Sequence, residues 1–272
     1  MRKRQWTKSV ADQWGLFLPP ARPSLSELAK IEEIILAYRQ KKPNARAAIL
    51  GSTPEYRDLC STLNISYTCI DFSRANFEIL GQYLLHKDSA ANLVVSDWRK
   101  MNFKDKFDIF IGDLFTCVTP VADHALVYKN VKKHLVPGGL LINKAPLRTS
   151  NRAFTHKQIF TKYRQTPQLR ARSPFAAVWH EVLLADYDFK TDSMNCETSK
   201  QKLQASFRRG IITEYEFTEF KKRWDALGDF NMNIPLRHEY LKSLKKYFKI
   251  KQITSGGDWY QKICPIIIAE NS

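Results

Sequence analysis

Residues 47–71, AAILGSTPEYRDLCSTLNISYTCID, leave the backbone few ways to fold. Ala47, Ala48, Ile49 and Leu50 run without polar alternation, the pattern of a central parallel strand covered on both faces. Gly51 follows at once, where a backbone turns sharply or lets a ligand come close. Thr53-Pro54-Glu55 reads as a helix start. Thr53 serves as cap, Pro54 loses nothing at a position whose N–H has no partner, and Glu55 suits the positive end of the helix. A second strand, Tyr67 to Ile70, ends at Asp71. A carboxylate there lies beside the first strand's turn, where it can accept both hydroxyls of a ribose.

The pattern then repeats. Phe72 to Leu85 is a helical segment, and Asn92 to Val95 is a short buried strand ending at Ser96-Asp97-Trp98. Phe107 to Asp113 is another strand closed by a carboxylate, and a helix spans Val121 to Leu135. Pro137-Gly138-Gly139 makes a turn before a fifth strand, Leu140 to Ile142, which ends near Asn143-Lys144. Strands and helices alternating at this spacing give an α/β fold: a Rossmann-like, mostly parallel sheet with helices on both faces. Ligands of such sheets sit beyond the carboxyl ends of the strands. Gly51, Asp71, Asp97, Trp98 and Asp113 all fall there. Each has a plainer reading, as helix cap or core residue; their coincidence at one edge is what points to a site.

Length and charge bound the rest. At 272 residues the chain holds one large domain or one with an insertion, and no apolar run approaches a membrane span. The basic start MRKRQWTKSV has no apolar segment behind it, so no secretory signal is expected. Five cysteines without C-x-x-C spacing read as free thiols of a cytoplasmic protein, with no zinc site. The net charge of +16 is uneven: +6 over residues 1–46, +1 over 47–146 and +9 over 147–272. A near-neutral core between basic flanks suits an acidic partner, or simple solubility.

The series Ile49-Leu50-Gly51-Ser52-Thr53-Pro54-Glu55, Cys69-Ile70-Asp71, Ser96-Asp97-Trp98, Phe107 to Asp113 and Leu135-Val136-Pro137-Gly138-Gly139 resembles a class I S-adenosylmethionine-dependent methyltransferase. The likeness covers residues 45–145, and the G-x-T-P-E loop looks like that of a subgroup of this family. The resemblance implies a seven-stranded sheet with its last strand antiparallel, for which Phe248 to Thr254 and Cys264 to Ala269 are well placed. It implies S-adenosyl-L-methionine as cofactor and S-adenosyl-L-homocysteine as product. Gly51, Ser52 and Thr53 would lie against the methionine part. Asp71, with Phe72 beside it, would take the ribose hydroxyls. Asp97 would accept from the adenine amino group with Trp98 beside the ring, and Asp113 and Leu114 would border the methionine end. A nicotinamide enzyme needs a second glycine where Thr53 stands, and no P-loop sequence is present.

Four pieces follow: an N-terminal arm and capping helix (1–45), the cofactor core (46–146), a helical insertion as substrate cap (147–236), and a crossover helix with the last two strands (237–272). Residues 1–13 read as a frayed basic tail, and Trp14 to Arg22 as an arm that packs on the core or closes over the cofactor pocket. Ser24 and Glu27 form a capping box that opens a helix to Arg39. In the insertion, helices are expected over Asn151–Arg164, from Ser173-Pro174 onward, and over Thr198–Arg209 and Thr213–Leu227. Arg148 to Arg172 carries seven Lys/Arg and no Asp/Glu, either an anion-binding lip or a solvated face. The candidate bases are Asp113, His156, Tyr163, His180 and Glu181, the last two off the apolar stripe of their helix and so expected in solvent. The reading is methyl transfer to a small acceptor, anionic if the lip binds it, with no membrane partner. The alternatives are an RNA methyltransferase and a non-catalytic binding protein. Neither the Pro-Pro-aromatic motif of amino-group base methylation nor a Pro-Cys nucleophile is present.

Overall fold

The computed structural model describes residues 8–86 and 91–272. Among the described residues there are nine strands: β1 Ala47–Leu50, β2 Tyr67–Asp71, β3 Ala91–Val95, β4 Phe107–Asp113, β5 Leu135–Lys144, β6 Met194–Asn195, β7 Asn231–Met232, β8 Lys249–Thr254 and β9 Ile266–Glu270. Seven of them form one sheet in the order β3-β2-β1-β4-β5-β9-β8, while β6 and β7 pair in the insertion. All neighbours run parallel except at β9, which is antiparallel to both β5 and β8. The seven-stranded Rossmann-like sheet read from the sequence is thus the observed one.

The two faces of the sheet separate residue by residue, as a period of two requires. Ala47, Ile49, Ile109, Ile111 and Ile142 face the helices Leu25–Arg39 and Pro54–Thr62, meeting Ile31, Ile35, Tyr56 and Leu59. Ala48, Leu50, Phe110 and Leu141 face the helices His124–His134 and Arg237–Lys245, meeting Val127, Val131, Tyr240 and Leu244. A third core belongs to the insertion, whose helices His156–Gln165, Pro174–Ala185, Cys196–Arg208 and Glu214–Leu227 pack around Phe160, Phe175, Phe220 and Trp224.

Three expectations need correction. The frayed tail ends earlier: Lys8–Asp12 is a helix, and Val10 and Ala11 are buried in the insertion's core, while residues 1–7 lie outside the described residues. Pro137-Gly138-Gly139 is not a turn before the strand but part of β5, accommodated by a register shift against β4 and a positive φ of 73° at Gly138. Thr53 holds the cap position of its helix but makes no side-chain capping bond. The capping box at Ser24 and Glu27 forms as expected, with both reciprocal hydrogen bonds.

The β8–β9 loop fastens that helix start. Asp258 Oδ2 accepts from Ser24 Oγ at 2.7 Å and from Ser26 Oγ at 2.6 Å. A Cβ on Gly256 would stand 2.4 Å from the Ser26 carbonyl carbon and 2.5 Å from the Glu27 nitrogen. These are backbone atoms fixed by a helix end, so they cannot swing aside. Gly256→Ala should therefore lower stability by about 1–3 kcal/mol, read as a fall in Tm of several degrees; an unchanged Tm would contradict this packing.

Candidate functional site

The carboxyl ends of β1, β2 and β4 open into a cavity. Leu50, Gly51, Ser52 and Thr53 form its floor, with Asp71, Phe72 and Asn76 beside them and Trp98, Asp113 and Leu114 completing that half. Gly51 has φ +102°, a region that side-chain-bearing residues rarely adopt, and its N–H returns to Ile70 O at 2.9 Å. The Trp98 indole also donates to Ile70 O, at 2.6 Å, so the ring is pinned over the turn, edge-on to Phe72 and Phe115. Asp71 is 5% exposed. It accepts from Ser52 Oγ at 2.8 Å on one oxygen and from Ser73 N at 3.0 Å on the other, and the Phe72 backbone N–H bonds it as well. A carboxylate has about four acceptor sites, so capacity remains for a ligand. Burial raises the Asp71 pKa, against the pull of those bonds.

Asp113 belongs to a buried charge cluster. Register sets Asp113 of β4 opposite Lys144 of β5, and the Lys144 ammonium lies 3.0 Å from Asp113 Oδ1 and 3.2 Å from Glu27 Oε2. The Lys144 side chain is 0% exposed and the two carboxylates 2%. Burial pushes Asp113 up to about 7 while Lys144 pulls it down; burial pulls Lys144 down, and Asp113 with Glu27 more than offset this and hold it above its ordinary value. One ammonium thus serves two carboxylates. Next along the chain, Leu114 takes a left-handed conformation (φ 52°) and its N–H bonds Lys144 O at 3.0 Å, turning the chain into the short helix Phe115–Val118.

The other half of the cavity comes from the insertion and the arm. Phe175, Trp179, Trp224, Leu227, Phe230 and Met232 line it, joined by Cys117 and Val118. It is fastened to the sheet where Asn233 donates to Cys117 O and Thr119 O, from N at 2.7 Å and from Nδ2 at 2.7 Å respectively. Trp14, Phe17 and Ala21 close the third side. The arm is held by Glu55, whose Oε1 accepts from the Trp14 indole at 3.2 Å and from Arg22 Nε at 2.7 Å. The arm therefore both packs and walls the pocket. Burial pushes the Cys117 thiol up to about 12, so it contributes an inert apolar surface.

Of the cofactor residues expected from sequence, Gly51, Ser52, Thr53, Asp71, Phe72, Trp98, Asp113 and Leu114 line the cavity and Asp97 does not. Arg99 binds Asp97 through both carboxylate oxygens, at 2.9 and 2.7 Å, and reaches Asp123 at 2.6 Å. The remaining candidate bases stand apart from the cavity. His156 sits in a separate hollow, with Nδ1 2.9 Å from Ser206 Oγ and Nε2 3.4 Å from Asp186. Tyr163 donates to Arg172 O. His180 and Glu181 were expected in solvent, yet His180 is 6% exposed, bonded to Leu147 O at 3.2 Å and pushed by burial down to about 4; burial likewise raises Glu181. The segment after β5 covers the helix face that its spacing left polar. The basic stretch turns inward or away as well: Arg148 pairs with Asp192 and Arg164 with Glu216. Among the described residues no Lys or Arg lines the cavity.

Lys144 and Glu27 are the members of this charge cluster that spacing alone did not reveal, one taken as a strand end and the other as a capping residue. Replacing Lys144 by Met would leave two buried carboxylates without their cation, which should cost about 3–5 kcal/mol at neutral pH. In that variant Asp113, already raised by burial, loses the cation that lowers it and rises further above its unfolded value, so the folded protein takes up protons first as pH falls. The loss relative to wild type should be largest above pH 7 and shrink toward pH 5; urea denaturation across that range checks both size and sign.

No protein-family model matches the chain, and no curated protein matches it in sequence. Solved structures match in shape. A protein from Rhodobacter sphaeroides titled a putative zinc-dependent alcohol dehydrogenase aligns over 98% of this chain and 99% of its own, with 15% identity and TM-score 0.56. An S-adenosylmethionine-dependent methyltransferase from Methanosarcina mazei aligns over 88% and 96%, with 16% identity and TM-score 0.52. CalS10, an amino pentose methyltransferase from Micromonospora echinaspora solved with S-adenosylmethionine bound, aligns over 90% and 90%, with 11% identity and TM-score 0.52. Among the described residues no group of three or more His, Cys, Asp or Glu side chains is placed to hold a metal. At such identities the likeness is one of architecture alone, a Rossmann-like fold that all three structures share with this chain.

Proposed function

We propose that the protein is an S-adenosyl-L-methionine-dependent methyltransferase acting on a small acceptor. The observation that carries this reading is the set of groups at one cavity: a buried carboxylate at the end of β2, a glycine turn at the end of β1, and an indole pinned over that turn. The methyl donor of the Micromonospora enzyme is bound within the same architecture. A dinucleotide is the poorer fit, because its diphosphate needs closer backbone approach than a turn with Gly51 followed by Ser52 and Thr53 allows.

In this reading Asp71 holds the ribose hydroxyls, and the Gly51–Thr53 turn lets the backbone approach the methionine part. Trp98 and Phe72 flank the adenine, while Asp97 holds Arg99. When bound, the cofactor supplies an electrophilic methyl group on a sulfonium. The insertion, residues 147–236, acts as the substrate cap. Its aromatic wall keeps water from the reacting atoms, which strengthens every electrostatic contact inside. Asp113 is the one ionisable group at the border between the two halves, and its carboxyl, lifted to about 7, can take a proton from an acceptor at neutral pH. The closed, apolar lining supports a small molecule over RNA.

Calorimetric titration of S-adenosylmethionine and S-adenosylhomocysteine into wild type and Asp71→Asn tests the cofactor. Each hydrogen bond to a charged group is worth about 1.5–3 kcal/mol, so the variant should bind both at least tenfold more weakly. Folded wild-type protein that binds neither, or a variant that binds as well as wild type, would overturn the reading.

A further inference from the structure

The acceptor's charge and shape can be read from the cavity. Glu27, Asp71 and Asp113 place three carboxylates at or directly behind the lining, against the single ammonium of Lys144. Glu55, at the rim, is already matched by Arg22. The excess is negative and buried, and buried charge must be compensated close by. S-adenosylmethionine carries one sulfonium, one ammonium and one carboxylate, and so relieves one of the two uncompensated negative charges. The other is shared by Asp113 and Glu27 around Lys144, and of these two Asp113 lines the cavity.

That wall offers almost nothing polar, with one exception. Trp179 is fully buried and lines the cavity, yet its indole Nε1–H has no hydrogen-bond partner among the described residues. The indole of Trp224, in the same wall, is satisfied by Ser199 Oγ at 3.1 Å. The helix carrying Trp179 departs from helical geometry at the preceding residue, Val178 (φ −131°, ψ 19°), with neither proline nor glycine there to explain the kink. An orphaned donor in an apolar wall is a debit that a ligand oxygen removes.

We infer that the acceptor is a cationic amine on a largely apolar skeleton, that its nitrogen is placed by Asp113, and that it carries an oxygen read by the Trp179 indole. This rests on the methyl-transfer reading above and specifies the substrate class for it. The ammonium and the Asp113 carboxylate exchange one proton to become a neutral amine and a carboxylic acid, which frees the nitrogen lone pair to form its new bond. An anionic acceptor would add charge where charge is already in excess. A sugar would leave its hydroxyls unpaired against Phe175, Leu227 and Met232.

Three probes of one skeleton test this in protein saturated with S-adenosylhomocysteine: 4-methoxyphenethylamine, phenethylamine and 3-(4-methoxyphenyl)propionate. Calorimetry should show the methoxy amine binding at least about tenfold more tightly than the carboxylate, as a unit charge within several ångströms in a partly shielded site requires. The methoxy amine should also bind more tightly than phenethylamine in wild type, and equally in Trp179→Phe. A carboxylate that binds as well as the amine, or no binding by any of the three, overturns the amine assignment. A methoxy preference that survives in Trp179→Phe overturns the role of the indole. Failure of S-adenosylhomocysteine to bind sinks the cofactor reading separately. The same amine-over-carboxylate order is then required of the protein alone, whose cavity charge is the same because S-adenosylhomocysteine, lacking the sulfonium, is net neutral.

Discussion

Lys144 is wholly buried, and an ammonium without water has to be neutralised where it stands. Its two partners come from distant parts of the chain, Asp113 from the neighbouring strand and Glu27 from the first turn of the Leu25–Arg39 helix. The contact therefore fixes three things together: the register of β4 against β5 at their ends, the seat of the N-terminal helix on the sheet, and the position of the carboxylate at the centre of the cavity. The β8–β9 loop reinforces the second through Asp258 and Gly256. Because one cation serves two anions, the arrangement that stabilises the fold also leaves the cavity negative. Structure and the ligand preference proposed above share one origin.

Much of this was legible in the residues because the sheet obeys simple periodicities. The apolar runs at β1, β2 and β4 gave the central strands, and Gly51, Asp71 and Asp113 were placed at their ends by counting alone. The capping box at Ser24 and Glu27 announced the first helix, since its geometry is local. What was not legible depended on the tertiary fold. Asp97 sits at a strand end as expected, but Arg99, two residues on, takes both of its oxygens. His180 lies on the polar side of its own helix and is nonetheless buried, because the segment at Leu147 crosses over it. Val10 and Ala11 follow a basic tail and still enter a core. In each case a long-range contact overrides a local pattern.

The cavity itself shows the same division. The half at the strand ends follows from the strand order, whereas the half proposed to hold the acceptor is assembled from helices separated in sequence by tens of residues, with Trp179 and Trp224 joined by Met232 and the arm residues Trp14 and Phe17. Of the basic stretch 148–172, prominent by composition, Arg148 and Arg164 pair with Asp192 and Glu216, while Arg152, Lys157, Lys162 and Arg170 face solvent. Composition described the surface; the lining is apolar and acidic.

A crystal structure of the S-adenosylhomocysteine complex is the direct test of the central claim. It should show both ribose hydroxyls on Asp71, the adenine beside Trp98, and the sulfur at the border between Asp113 and the insertion wall. A complex with the ligand elsewhere, or with Asp71 turned away from the ribose, would contradict the account.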